Sequence, residues 1–160
     1  MDVLRVGIAE YRLAEAPATL VARGLGSCLA ILLYDEAAQR GALAHALLPV
    51  PREGHTSVKP ATYVNLAIAE MVEKLAACGS PQGALVAKLV GGSQMFLSTH
   101  ERLTPIGELN LSQAIEVLAQ MQIPVVGQET GGNQGRSLEF DLASGSVAVM
   151  TVRSKEPKLL

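Results

Sequence analysis

Leu29-Ala-Ile-Leu-Leu-Tyr-Asp35 and Gly41-Ala-Leu-Ala-His-Ala-Leu-Leu-Pro49 decide the fold of this chain. Two apolar runs, 29 to 34 and 42 to 48, flank a polar, turn-compatible segment and read as paired strands. Strands joined this closely pair antiparallel. If Tyr34 lies opposite Gly41, His45 falls opposite Ala30 and Leu47 opposite Cys28. Cys28 and His45 then share one face as diagonal neighbours, with Cβ atoms roughly 7 Å apart. A turn tighter by two residues would set them directly opposite each other. A register slip of one residue would send them to opposite faces.

Outward from this hairpin the chain alternates short elements. Residues 3 to 8 read as a strand, followed by Pro17 and a segment leading to Gly24. Pro60 opens a predicted helix to about Cys78, with Val64, Ile68, Met71 and Leu75 on one stripe, Glu70, Glu73 and Lys74 away from it, and Gly79 as its stop. Residues 84 to 90 form an apolar, strand-like run ending at a Gly91-Gly92 turn. A second helix is predicted from Asn110, with Gln113 completing a capping box and Leu111, Ile115 and Leu118 as the buried stripe. Strands follow at 125 to 128, 137 to 142 and 147 to 152, the last two joined as a hairpin through Ala143-Ser-Gly145. The pattern is α+β with a mixed, largely antiparallel sheet. Residues 1 to 160 read as a single domain, with 153 to 160 as a charged, frayed tail.

Composition excludes several function classes. The formal net charge is −2 with Lys and Arg dispersed, and aromatics make up 3% of the 160 residues, so neither a basic nucleic-acid surface nor a base-stacking platform can be assembled. Met1-Asp-Val-Leu-Arg5 does not resemble a signal peptide, and no apolar run approaches the ~20 residues of a membrane span. Two cysteines without metal-ligand spacing suit a reducing cytoplasm, the expected location. No metal and no cofactor is expected: Thr130-Gly-Gly-Asn-Gln-Gly-Arg136 is Gly-rich but lacks the spacing and Lys-Ser/Thr end of a nucleotide loop.

The chemistry centres on Cys28 and His45. A thiol is a nucleophile only as thiolate, and an adjacent imidazole lowers its pKa and later returns the proton to a leaving group. Gly24 and Gly26 can take positive φ and turn backbone amides toward one point before Cys28, a candidate oxyanion hole. Ser27 lacks the following Gly of a hydrolase elbow and is assigned instead to setting the loop or contacting substrate. The same residues also suit a structural reading, since Cys is often buried and a His between two alanines is often a hydrogen-bonded core residue. Cys78 reads as a packed, inert thiol near the helix stripe, and His55 and His100 as solvated.

The Leu-Gly-Ser-Cys run ending at Cys28, the Gly-x-x-x-His and Leu-Pro of 41 to 49, Gly91-Gly92-Ser-Gln-Met-Phe96 and Thr130-Gly-Gly-Asn-Gln-Gly-Arg-Ser137 together resemble the CheD family of chemoreceptor glutamine deamidases. The similarity runs from about Gly7 to about residue 150, in the family's order. It implies a three-layer α/β/β sandwich and a protein-glutamine glutaminase, acting on the cytoplasmic helices of methyl-accepting chemotaxis receptors and extending to their glutamyl methyl esters. Cys28 takes the place of the family nucleophile and His45 that of its base. The family Thr that orients the His falls on Ala22, which has no hydroxyl, and the expectation here is that the Ala22 backbone carbonyl holds His45 Nδ1. Thr19 would need a bulge to substitute. A second departure is Leu109, where the family commonly has Arg. Gly26, Ser27, Thr130, Gly131 and Gly132 are expected to contact substrate or wall the cleft. The alternative is a non-catalytic adaptor binding chemoreceptors or a CheC-type phosphatase, with Ala22 recording lost activity.

Overall fold

The computed structural model describes residues 2–54, 58–95, 103–154 and 156–160. Among these residues ten strands make two five-stranded sheets. β1 (Val3–Arg5), β3 (Thr19–Leu25), β8 (Arg136–Asp141), β9 (Val147–Thr151) and β10 (Lys158–Leu159) lie side by side in that order. The other sheet runs β2 (Tyr11–Glu15), β5 (Arg40–Ala46), β4 (Leu29–Asp35), β6 (Leu85–Gly91) and β7 (Val125–Thr130). Among the described strands only β1 with β3 and β6 with β7 are parallel. The second of these pairs needs a crossover, which α2 (Ile106–Gln120) supplies. The result is the expected α+β sandwich with mixed, largely antiparallel sheets.

β4 explains the layering. Every residue from Leu29 to Asp35 is buried, because both faces of the strand are covered. Leu29, Ile31 and Leu33 join Ala42, Ala44 and Ala46 of β5 under α1 (Val64–Ala77) and α2. Ala30, Leu32 and Tyr34 join Leu43 of β5 and meet Leu20, Ala22, Leu25, Leu138 and Phe140 of the other sheet. Alternate residues of one strand thus serve two cores. The small alanines of β5 let α1 lie close on the helix side.

Of the registers open to the hairpin it takes the one with Tyr34 opposite Gly41 and Ala30 opposite His45. In α1 the stripe Val64, Ile68, Met71 and Leu75 is fully buried. The helix starts later than expected, since Pro60–Thr62 form a separate 3-10 turn and Tyr63 is extended. It ends as expected: Ser80 N–H donates to Leu75 O and Gly79 N–H to Ala76 O, with Gly79 at φ +100°.

Two expectations are corrected. α2 begins at Ile106 behind Pro105, so Asn110 is an interior residue, fully buried, and caps nothing. Its buried face is Gly107, Asn110, Ala114 and Leu118, while Ile115 is exposed. Gly107 lies in the first turn of the helix, and this glycine is required. A Cβ on it would lie 2.5 Å from Ser93 O and 2.6 Å from Gly92 O, so only a bare helix surface can approach that loop. The tail does not fray to its end either. Lys158 and Leu159 pair with β9, and Lys158 Nζ reaches Glu129 Oε2 at 2.6 Å.

Candidate active site

The chain leaves β3 through a bulge between Ala22 and Leu25, turns at Gly26-Ser27-Cys28 and enters β4 at Leu29. Three successive carbonyls of this turn are gripped. Gly26 O accepts from Ser93 N–H at 2.9 Å, Ser27 O from Asn110 Nδ2 at 3.0 Å, and Cys28 O from Gly92 N–H at 2.9 Å. In a trans peptide the N–H points opposite to the carbonyl, so fixing the Ser27 carbonyl also fixes the direction of the Cys28 amide. That amide lies against the Cys28 thiol, where it favours the thiolate. Of the two flanking glycines only Gly24 takes positive φ, at +67°, while Gly26 lies under Met95.

By the alternation of their strands, Cys28, Ala30 and His45 face the layer between the sheets, as does Ala22 from across it. Cys28 is partly exposed and His45 is 1% exposed. Burial pushes the Cys28 thiol up, its own amide only partly offsetting this. Burial pulls the His45 imidazole below its ordinary value, partly opposed by the Val6 backbone. The expected lowering of the thiol is therefore not found. Both shifts favour the uncharged forms, thiol and imidazole.

The Ala22 carbonyl does not hold His45. Among the described residues neither ring nitrogen makes a hydrogen bond of good geometry, and the main-chain group that acts on the ring is that of Val6, not Ala22. The reason is geometric: strand carbonyls lie in the plane of their own sheet, and Ala22 turns its methyl, not its backbone, toward the facing sheet. Thr19 cannot substitute either, because the β3 bulge comes after Ala22 and leaves Thr19 on the other face. The main chain of His45 is well held, its N–H donating to Glu10 O and its carbonyl accepting from Ala9 N–H.

The two Gly-rich segments meet behind the turn. Gly131 N–H donates to Gly91 O, and Gln94 N–H to Gly132 O. Buried Arg136 ties them together, with Nη1 2.7 Å from Ser93 Oγ and 2.8 Å from Gly131 O, and Nη2 3.5 Å from Glu129. Gly26, Ser27, Gly131 and Gly132 are thus brought into one assembly, and Thr130 stands at its edge with Oγ1 on Gln128. A depression of about 180 Å³ flanks it, lined by Gly92, Gln94, Pro105, Glu108, Gly131 and Gly132. Sequence reasoning missed Arg136 and misplaced Asn110. An Arg closing a Gly-rich run and an Asn where a helix interior disfavours one were the available signals.

Cys78 caps α1 and is exposed, not packed as expected. Phe96, His55, Thr56 and His100 lie outside the described residues. Among those described, no three His, Cys, Asp or Glu side chains are grouped to hold a metal, and no helix is long and apolar enough to cross a membrane.

Neutral burial of His45 has a consequence for stability. An unfolded imidazole titrates near 6.5, and the folded value lies below it. Between the two the unfolded chain binds a proton that the folded one refuses, so stability is full above pH 6.5 and declines as pH falls toward the folded value. The urea midpoint is expected to drop between pH 7 and pH 5, with His45→Gln flattening that slope. Parallel slopes for the two proteins would refute it.

The family model described as CheD chemotactic sensory transduction matches residues 47–151, a span that begins just past His45. Curated relatives extend across the site. The chain is 42% identical to a probable chemoreceptor glutamine deamidase CheD of Moorella thermoacetica, over 93% of this chain and 90% of that one. It is 46% identical to a probable chemoreceptor glutamine deamidase of Geobacter sulfurreducens, over 95% and 93%. The corresponding figures for one of Geobacter metallireducens are 43%, over 94% of each chain.

Proposed function

The chain belongs to the CheD family, and from that premise we propose that it is a chemoreceptor glutamine deamidase whose nucleophile is Cys28 and whose acid and base is His45. The observation that carries this reading is the turn at Cys28. Three consecutive carbonyls are held from behind, and a partly exposed thiol and a neutral imidazole face one layer. A merely structural Cys requires no such grip.

Cys28 Sγ adds to the glutamine Cδ while its proton passes to His45. The Cys28 amide stabilises the oxyanion, in the direction that the Ser27 carbonyl clamp sets. His45 gives the proton to the departing ammonia, leaving a γ-glutamyl thioester. It then takes a proton from water, which hydrolyses the thioester to glutamate and returns the proton to Sγ. The net change is one water consumed and one ammonia released. Receptor glutamyl methyl esters present the same carbon with an easier leaving group. Gly26, Ser27, Thr130, Gly131 and Gly132 form the substrate-facing rim in this reading. Each turnover adds a negative charge to a receptor helix, changing repulsion with its neighbours.

The test is ammonia release from a purified chemoreceptor cytoplasmic fragment, with the modified glutamines located by mass. Release with a one-dalton gain at discrete glutamines is expected, and an unmodified fragment would overturn the proposal.

One observation favours the adaptor reading, in which the chain binds receptors or a CheC-type phosphatase: His45 lacks the orienting hydroxyl, with Ala22 in its place and no hydrogen bond of good geometry on its ring among the described residues. Ala22→Thr separates the two. Position 22 faces the layer that holds His45, and a new hydrogen bond of about 1 kcal/mol would raise kcat about fivefold and move the acid limb of the pH profile upward. Activity present only in Ala22→Thr would identify a lapsed catalyst and support the adaptor.

A further inference from the structure

We propose that Asn110 is a positioning residue for the Cys28–His45 pair, a role that rests on the deamidase reading above. The β4–β5 ladder ends at Leu29 opposite Ala46. Its next rung would join Cys28 to Leu47, but Leu47 N–H is diverted to Thr62 O, as is that of Leu48. Asn110 stands where that rung is missing. Its Nδ2 donates to Ser27 O at 3.0 Å and to Leu47 O at 2.9 Å. One amide therefore bridges the residue before the nucleophile and the strand end just past the base.

Three features separate this from ordinary packing. Both neighbours are carbonyls, so the amide orientation is determined, with nitrogen toward them. The remaining Oδ1 is buried with no partner among the described residues, a liability that an apolar residue at this helix position would avoid. The helix that carries Asn110 is brought into reach by Gly107, one turn earlier on the same face, which lets α2 rest on the Gly92–Ser93 backbone. Through Ser27 O, Asn110 sets the direction of the Cys28 amide. Through Leu47 O, it sets how far the His45 strand stands from that amide. It touches neither substrate nor reacting atoms.

Asn110→Leu removes both hydrogen bonds at similar volume, and Asn110→Ala removes them with space to spare. Each is assayed for ammonia release beside the parent, with rates divided by the folded fraction from its melting curve. Iodoacetamide alkylation of Cys28 is followed in parallel, with exposed Cys78 as reference thiol. Loss of the fixed geometry is expected to lower kcat per folded molecule about 100-fold with KM within about threefold. The pH midpoint for Cys28 alkylation is expected to rise, while Cys78 reacts at the parental rate. A kcat per folded molecule within threefold of the parent overturns the proposal. So does a fall that merely tracks unfolding, or the failure of both variants to fold, since either makes Asn110 a folding residue. If the parent itself releases no ammonia, the deamidase reading fails on its own, and the alkylation midpoint still decides whether Asn110 positions the thiol.

Discussion

Cys28→Ala is expected to abolish ammonia release from receptor fragments, by at least about 10³-fold, while leaving the melting temperature nearly unchanged. The activity loss follows because the thioester route has no other entry point. Ser27 cannot take over, since its carbonyl is pinned to Asn110 and its hydroxyl belongs to the preceding residue of the turn. Exposed Cys78 sits at the far end of α1 from the Gly26–Cys28 turn and is not packed against either core. Stability is spared because the thiol is only partly buried and the grip on the turn runs through backbone carbonyls that alanine retains. A Cys28→Ala protein that still deamidated at a tenth of the parental rate would remove Cys28 from the mechanism. One that was inactive only because it had unfolded would leave the site without support, and circular dichroism distinguishes the two.

Gly91→Ala is the second large effect and acts through the backbone. Gly91 closes β6 at φ +111°, outside the range of an L side chain, and a Cβ there would run into the Cys28 carbonyl oxygen. That oxygen is the one held by Gly92 N–H, so it cannot move aside without releasing the turn. Strain and clash together are expected to cost about 3 kcal/mol or more, a drop of about 10 °C in Tm, with activity lost even where the protein is still folded. Gly131→Ala supplies the contrast. Its φ is +75°, but nothing lies within 4 Å of the added Cβ, so only the conformational cost of about 1 kcal/mol applies. If the two variants melted within a degree or two of each other, the close approach of Gly91 to the Cys28 carbonyl would not be the constraint described here.

The positions where the sequence reading and the structure part company are of one kind. A capping-box start at Asn110 places α2 one turn late and leaves out Gly107. Both residues are there for partners outside the helix, the Gly92–Ser93 backbone for one and the carbonyls of Ser27 and Leu47 for the other. Arg136 is similar. Its side chain is spent on Ser93, Gly131 and Gly91, so it reads in isolation as one more charge in a polar loop. Lys158 and Leu159 looked like an unattached tail until β9 was beside them.

What the sequence by itself determined is everything written in local periodicity: the β4–β5 hairpin, the buried stripe and stop of α1 and the α+β class, while the register that puts Cys28 and His45 on one face was one of the alternatives it left open. Alternation and helical spacing are properties of neighbouring residues and need no third element to be legible. What only the tertiary structure decided is the state and support of that pair. The thiol is raised rather than lowered because two sheets bury it, the Ala22 carbonyl does not hold His45 because it lies in the plane of the opposite sheet, and the turn is held by a residue 83 positions further along the chain. Burial and hydrogen bonding at that range depend on which surfaces come together, and no window along the chain contains both sides.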